Sequence, residues 1–445
     1  MRSHNAALVL DLLRTAGREG ISRLELAERT GLTPQAVSKI TARLRSEGLA
    51  ADAGRRASTG GKPATVLRLV PEAAHAIGVH LDRDELTTVL LDLAGERVAE
   101  RRAPLDLGAG AEPVLAAVRA EVAALLPAGA GVTAARPGAG GEGGSVGRAG
   151  AGGERGSAGR AGTGVERGSV GRAGTGVERG SGDRAGIGGK GGSGDRAGAG
   201  TEAGSAGRAG APEGTASAPR AGVLGVGVAM PGPLDHRAGT PGRVTGFPQW
   251  DGFPLRDELA RRLGLPVVLD KDTNAAALGL ALRPGAPGSF AYVHLGTGLG
   301  AGLVLGGAVL RGGRTGAGEL GHQTVQLDGP PCDCGGRGCL EVLCLAALAR
   351  GDLDGAARVL GTGAANLVRL LDVDRVLLGG RAVLAAPEIF ARGTREALTG
   401  LALPADVAVT TAPHAVAEGA AQLVLAPVFG TQPSGFGVEP PTVGA

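Results

Sequence analysis

Four soft ligands in one short stretch constrain this chain more than any other feature. The segment GELGHQTVQLDGPPCDCGGRGCLE carries His322, Cys332, Cys334 and Cys339, spaced His-x9-Cys-x-Cys-x4-Cys. A Cys3His set suits a tetrahedral structural zinc. The chain must then fold back on itself between His322 and Cys339, and the elements flanking that loop are fixed relative to each other. Glu319 and Glu341 stand in those flanks. A metal here would therefore also hold the walls of a small-ligand site.

The opposite end reads as a nucleic-acid contact. Residues 1–70 hold 12 Lys and Arg against 6 Asp and Glu, whereas the whole chain carries only +3. A basic end on a near-neutral body fits DNA at that end, and scattered charge is the bland alternative. Leu8, Leu12 and Leu13 have helical spacing in HNAALVLDLLRTA. Ser22 can cap the next helix, with Glu25 three residues on as a capping box. Thr30-Gly31 ends it. Thr33-Pro34 starts a third helix, with proline at the first helical position. Ala36, Val37, Ile40 and Leu44 form its apolar side, and Gln35, Ser38, Lys39, Thr41 and Arg43 its polar side. Two short helices around a Gly-Leu turn make a helix-turn-helix whose second helix can enter the major groove. An ordinary helical bundle competes, but DAGRRASTGGKPATVLRL follows and reads as a β-wing. Arg55, Arg56 and Lys62 near its tip would meet phosphates. Thr33 completes the expected DNA-contacting set.

Between residues 127 and 220 the composition changes. Arginine recurs at 148, 160, 172, 184, 196 and 208, each time before Ala-Gly, a period of 12. The repeats lack proline and break the glycine-every-third frame, which argues against a triple helix. They offer almost nothing to bury, so a disordered insertion is expected. Its charges could touch nucleic acid weakly; a repeat expansion without function is the simpler reading.

The remainder alternates strands and helices. AHAIGVHL and ELTTVLLD are apolar strands around DRDE, and a helix follows at 111–126. AGVLGVGVAM and PVVLD are strands, RDELARRLG and DTNAAALGLAL are helices, and Asp272 or Thr273 is placed to cap the latter. HLGTGLGAGLVLGGAVL reads as strand, glycine loop and hairpin. The loop Gly296, Thr297, Gly298 nearly matches a dinucleotide fingerprint, yet a hairpin follows it where a Rossmann unit needs a helix. DRVLLGG is a strand and AVAEGAAQLVLA a final helix. Aromatics are only 2% of the chain, so the cores are Leu, Val and Ala. Three of the four cysteines fit the metal spacing and Cys344 is buried filler, which points to a reducing cytoplasm. No uncharged apolar run reaches membrane length.

The segments AMPGPLD, PVVLDKDTNAAALGL, HLGTGLGAGLVLGG, GAGELGHQTV, C-x-C-GG-x-GCLE and VLLGG resemble the ROK family of repressors, open reading frames and kinases. The STGGKPA wing after a helix-turn-helix resembles its regulator branch. The resemblance implies an α/β body of the sugar-kinase and actin kind (ribonuclease H-like), two lobes around a cleft, behind an N-terminal winged helix-turn-helix. The expected division is 1–70 for the DNA-binding domain, 74–126 with 221–285 for lobe one, 127–220 for the insertion, 286–427 for lobe two with the zinc site and final helix, and 428–445 for a flexible tail. It further implies that Glu319, His322 and Glu341 hold sugar hydroxyls, that zinc takes one ring nitrogen of His322 and leaves the other for ligand, and that Asp272 matches the kinases' catalytic base.

Three departures from the family pattern argue against kinase activity. The family's Asp-x-Gly-Gly-Thr phosphate loop is replaced by His80-Leu81-Asp82-Arg83-Asp84, which lacks the glycine turn that cradles phosphate. Lys271 replaces the Asn before the catalytic Asp. Gly246 stands where a sugar-contacting Asn is expected. Asp272 is then a vestigial base and 296–298 a vestigial phosphate loop. The expectation is a dimeric or tetrameric regulator of carbohydrate genes, binding double-stranded operator DNA and a sugar or phosphosugar. The alternative is an ATP-dependent sugar kinase with a DNA-binding appendage.

Overall fold

The computed structural model describes residues 2–56, 64–126, 222–410 and 412–430. The expected insertion at 127–220, the wing tip with Lys62, and residues 431–445 of the expected tail lie outside the described residues.

The chain opens with α1 (Arg2–Thr15), β1 (Ile21–Ser22), α2 (Arg23–Thr30), α3 (Pro34–Ser46), β2 (Ala50–Arg56) and β3 (Ala64–Leu69). Local chemistry places the boundaries. The Ser22 hydroxyl accepts from Glu25 N (3.2 Å) while the Glu25 carboxylate accepts from Ser22 N (2.7 Å), a complete capping box. Gly31 closes α2 in the left-handed conformation, Thr33 Oγ1 accepts from Ala36 N, and Pro34 opens α3. The strands pair in the order β1-β3-β2. On α1 the buried residues are Val9, Leu10 and Leu13, while Leu8 is exposed, so the inward face is rotated from the one the leucines alone suggested.

Two five-stranded sheets follow. The first contains β4 (Ala74–Leu81), β5 (Glu85–Asp92), β6 (Arg97–Pro104), β7 (Gly222–Met230) and β10 (Val267–Lys271), in the order β10-β7-β4-β5-β6. Helix α4 (Ala111–Leu125) follows β6. The short pair β8 (Leu234–Asp235) and β9 (Thr240–Pro241) precedes α5 (Leu255–Leu263). Val114, Val118, Trp250 and Leu259 from this side share one core with β4 and β7. Next come α6 (Asp272–Ala281), β11 (Phe290–Leu295), β12 (Leu299–Leu305), β13 (Ala308–Val309), α7 (Leu340–Ala349), α8 (Leu353–Leu371), β14 (Arg375–Gly379), α9 (Arg381–Ala385), α10 (Pro387–Gly400), β15 (Asp406–Val409) and α11 (Ala415–Leu425). The second sheet runs β13-β12-β11-β14-β15, with Leu340, Cys344, Leu360 and Phe390 packed on it.

Helix α11, grouped with the second half in the sequence reading, packs instead on β4 and β7 of the first sheet and along α6. Glycines permit this closeness: a Cβ on Gly227 would overlap the Ala420 carbonyl, and one on Gly419 would overlap the Ala275 carbonyl. The other flank of α11 faces the winged helix. Ala417, Ala421 and Leu425 share a core with Leu13, Leu26, Leu67 and Val89. Residues 428–430, assigned above to a loose tail, belong to this core's edge: Phe429 is buried and the Arg14 guanidinium lies 5.0 Å from its ring centroid.

Candidate functional site

The structure gathers the sequence-nominated ligand residues around one cleft. Asp272, Glu319, His322 and Glu341 all line a cavity of about 60 Å3, together with Lys271 and Arg83. A neighbouring cavity of about 570 Å3 shares Glu319, His322 and Thr245 and reaches Gly246, Arg243 and Cys334. Each wall has a structural origin. Asp272 is not preceded by a side-chain cap, nor does it cap α6: Lys271 is the N-cap residue without a side-chain bond, and Asp272 is the first helical residue. Its carboxylate accepts from Thr273 N (2.6 Å). Burial is the main cause that raises its pKa from 3.8 to about 7; Lys271 opposes the rise, while Asp82 and Glu319 reinforce it. Beneath it, Asp270 forms a deeply buried ion pair with Arg311 (2.7 Å) that pins the end of β10.

Lys271 is buried, and its Nζ donates to Glu319 Oε1 (2.9 Å) and to the Ala317 carbonyl (2.5 Å). The cation that replaces an expected Asn therefore sits inside the candidate cleft, bonded to the Glu319 carboxylate. Glu341, in the first turn of α7, accepts from Leu299 N (2.8 Å).

The four soft ligands converge. The donor atoms of His322, Cys332, Cys334 and Cys339 all lie within 4.8 Å of one another. Cys334 Sγ is 3.7 Å from Cys339 Sγ, and Cys332 Sγ is 3.7 Å from His322 Nδ1. Tetrahedral zinc with sulfur at about 2.3 Å requires sulfurs about 3.8 Å apart, so the donor set fits. The second ring nitrogen of His322, Nε2, faces Thr245 Oγ1 at 3.5 Å on the cavity side.

The turn between β4 and β5 crosses to the second sheet. Thr297 Oγ1 donates to Asp82 Oδ1 (2.6 Å), and one nitrogen of Arg381 reaches both oxygens of Asp84 (2.8 and 2.9 Å). The loop Gly296–Gly298 is a tight link closed by Gly296 N to Gly298 O (2.9 Å) between paired Leu295 and Leu299. A further cavity of about 360 Å3, which shares Asp82 and His294 with the first, is lined by His80, Arg102, Tyr292 and Arg381. Burial pushes His294 down to about 4, leaving a neutral imidazole there.

On α3, Thr33, Gln35, Ser38, Lys39 and Arg43 are exposed. Thr41 is not: it is fully buried, and its hydroxyl donates to the Val37 carbonyl (2.9 Å), which removes it from the DNA-facing set. Arg43 is paired with Glu47 (2.7 Å). Arg55 and Arg56 pair with Thr65 and Ala64 in the wing hairpin. The sequence reading missed Arg83 as a cavity residue and the Lys271–Glu319 pair.

Two family models match parts of the chain. The ROK family model matches residues 215–351, and a winged helix-turn-helix DNA-binding model matches residues 9–50. A glucokinase of Thermotoga maritima is 43% identical over 128 residues, 28% of this chain and 40% of that protein. A xylose repressor of Caldicellulosiruptor bescii is 36% identical over 121 residues, 27% of this chain and 30% of that protein. The chain thus covers well under half of each of these relatives. The crystal structure of a ROK family transcriptional regulator, a homologue of the E. coli MLC protein, superposes with a TM-score of 0.62 at 20% identity, covering 97% of both chains. That match shows a shared fold from the winged helix through the sugar-kinase-like body. No helix among the described residues is long and apolar enough to cross a membrane.

Proposed function

We propose that this ROK protein is a cytoplasmic, sugar-responsive transcriptional repressor of carbohydrate genes and has lost kinase activity. One observation carries the reading: the winged helix and the ligand cleft share α11. That helix packs along α6, whose first residue is Asp272, and its opposite flank completes the winged-helix core. A ligand that favours one arrangement of the cleft therefore has a packed route to the DNA-binding domain, and it acts through its differential affinity for the two arrangements. A dimer would set two α3 helices in successive major grooves. Similarity to a xylose repressor supports a repressor that answers to a sugar. Zinc in the Cys3His cluster would hold His322 and the loop between α7 and the second sheet, so that Nε2 of His322 and the carboxylates of Glu319 and Glu341 meet sugar hydroxyls in fixed directions. In this reading Asp82 occupies the place where a phosphate cradle would otherwise stand and is bonded to Thr297, and Asp272 accepts from a sugar hydroxyl without passing a proton on to product.

Purified protein should retard DNA from its own upstream region in gel shifts, and the correct sugar should shift that affinity. Lys39→Ala should weaken binding about equally on all sequences and lower the salt slope by about 1, as for one lost phosphate contact. Gel shifts of Lys39→Ala indistinguishable from the parent chain would remove α3 as the DNA-contacting helix. Similarity to a glucokinase, with the Gly296–Gly298 turn in place, keeps a kinase as the second reading. Mg-ATP with a panel of hexoses and pentoses should give no sugar phosphate. Turnover abolished by Asp272→Asn would overturn the non-catalytic reading.

A further inference from the structure

We infer that the cleft selects a sugar bearing an anionic group, a carboxylate or a phosphate, and that Arg83 reads that group. The inference rests on the sensor reading above and narrows its ligand class. Most acceptors in the cleft already have a donor. Glu319 accepts from Lys271 (2.9 Å), Glu341 from Leu299 N (2.8 Å), and Asp82 from Thr297 (2.6 Å) and Arg83 N (2.7 Å). The guanidinium of Arg83 is different. Its nearest carboxylate oxygen, on Glu341, is 4.0 Å away, beyond hydrogen-bond reach, and its carbon lies 5.7 Å from the Phe247 ring centroid. Among the described residues no side-chain hydrogen bond holds it. The side chain is only 27% exposed and lines the cavity wall beside Gly298, where a Cβ would come within 3.4 Å of its Nη2.

A guanidinium presents five N–H donors in a planar fork that matches a carboxylate or a phosphate. Lys271 adds a second cation, with two of its three protons committed to Glu319 and Ala317. Closing this cavity over a neutral sugar would strip water from Arg83 and leave its N–H donors with only the 4.0 Å ion pair to Glu341 and no hydrogen-bond acceptor, and unbonded buried donors are costly. An anionic sugar supplies that partner. Its hydroxyls would still meet Glu319, Glu341 and Asp272, so charge and ring are read by separate residues.

The test is calorimetric titration of the full chain with matched ligands: a hexose and a pentose, each as the neutral sugar, its uronate and its terminal phosphate, plus inorganic phosphate alone. At least one anionic form is expected to bind about tenfold tighter than its neutral parent, and the uronate and phosphate arms identify which group is read. Arg83→Met should erase that preference, so that the anionic and neutral forms bind within about twofold of each other. The native fluorescence of Trp250, the only tryptophan in the chain, checks that the variant is folded. Equal affinity for neutral and anionic forms overturns the inference while leaving the sensor reading intact. So does a uniform loss in Arg83→Met, a preference abolished by Arg243→Met instead, or inorganic phosphate binding as tightly as the sugar phosphate. If no sugar of either kind binds, the sensor reading falls as well.

Discussion

Replacing Cys334 with Ser is expected to release one zinc per chain, to lower Tm by about 5 °C or more, and to weaken sugar binding about tenfold, as loss of a metal's supporting groups commonly does. The segment between His322 and Cys339 buries little of itself. Residues 323–328 are exposed, Leu327 at 85%, and Gly329 and Gly338 are its buried points. Its backbone bonds run within the loop and across its base: Val325 N and Gln326 N to Gly338 O, Gly329 N to Gln326 O, Cys332 N to Gly336 O, Gly335 N to Cys332 O, Gly338 N to Pro330 O and Leu340 N to Gln323 O, at 2.8–3.2 Å. Such a loop gains little from burial to offset its ordering entropy, and metal ligation would add the missing constraint. The rest of the body has its own Leu, Val and Ala cores, so far-ultraviolet circular dichroism should stay near the parent signal while Tm falls. His322 transmits the loss, because its Nδ1 faces the cluster and its Nε2 faces the cavity. Gel-shift affinity without sugar should be retained, since the winged-helix core lies elsewhere. Elemental analysis reporting the same zinc content in Cys334→Ser as in the parent chain would refute the ligand set.

What could be read from sequence was whatever a few neighbouring residues determine. Ser22 with Glu25, Thr33 with Pro34, and the cysteine spacing each state their geometry within one turn or loop, and all three recur in the structure. The same locality explains how Thr41 was misread. Taken alone it is a polar residue on a polar-looking face, but it lies four residues after Val37 and three before Leu44, on the stripe those two bury. Helical spacing carried that signal, and residue type hid it. The place of α11 was beyond sequence reasoning for another reason. AVAEGAAQLVLA is small and apolar on two flanks, which says that both are covered but not by what. The answer depends on Gly78 and Gly227, some 190 to 340 residues earlier, leaving room for its backbone. Arg83 was visible only as damage to a glycine loop. That its guanidinium enters the ligand cavity follows from the β4–β5 turn meeting Thr297 and Arg381, contacts between distant segments.

Asp272→Asn is expected to stabilise the chain at pH 8 and to be neutral near pH 4. The folded-state pKa of Asp272 is raised to about 7 from 3.8, chiefly by burial. An acid raised in this way binds its proton more tightly folded than unfolded. Folding is therefore penalised progressively as pH climbs from about 4 to about 7, and the penalty is constant above that window. A carboxyl held at about 7 instead of 3.8 would correspond to about 4 kcal/mol without screening. Asp272 is only half-buried, so solvent screening reduces the expected gain for Asn to about 1–2 kcal/mol at pH 8. The measurement is Tm of both proteins from pH 4 to pH 8, in which the difference should open with rising pH. A variant less stable than the parent at pH 8 would mean that Lys271 compensates the carboxylate more fully than burial penalises it. The same substitution should weaken sugar binding, because the ionised carboxylate is the better acceptor for a ligand hydroxyl. A group that costs stability in the empty cleft and gains a donor in the filled one makes ligand binding favour the higher pH. Under the proposed function, it would also give a sugar-filled cleft a free-energy advantage over the empty one, which is the difference a sensor needs.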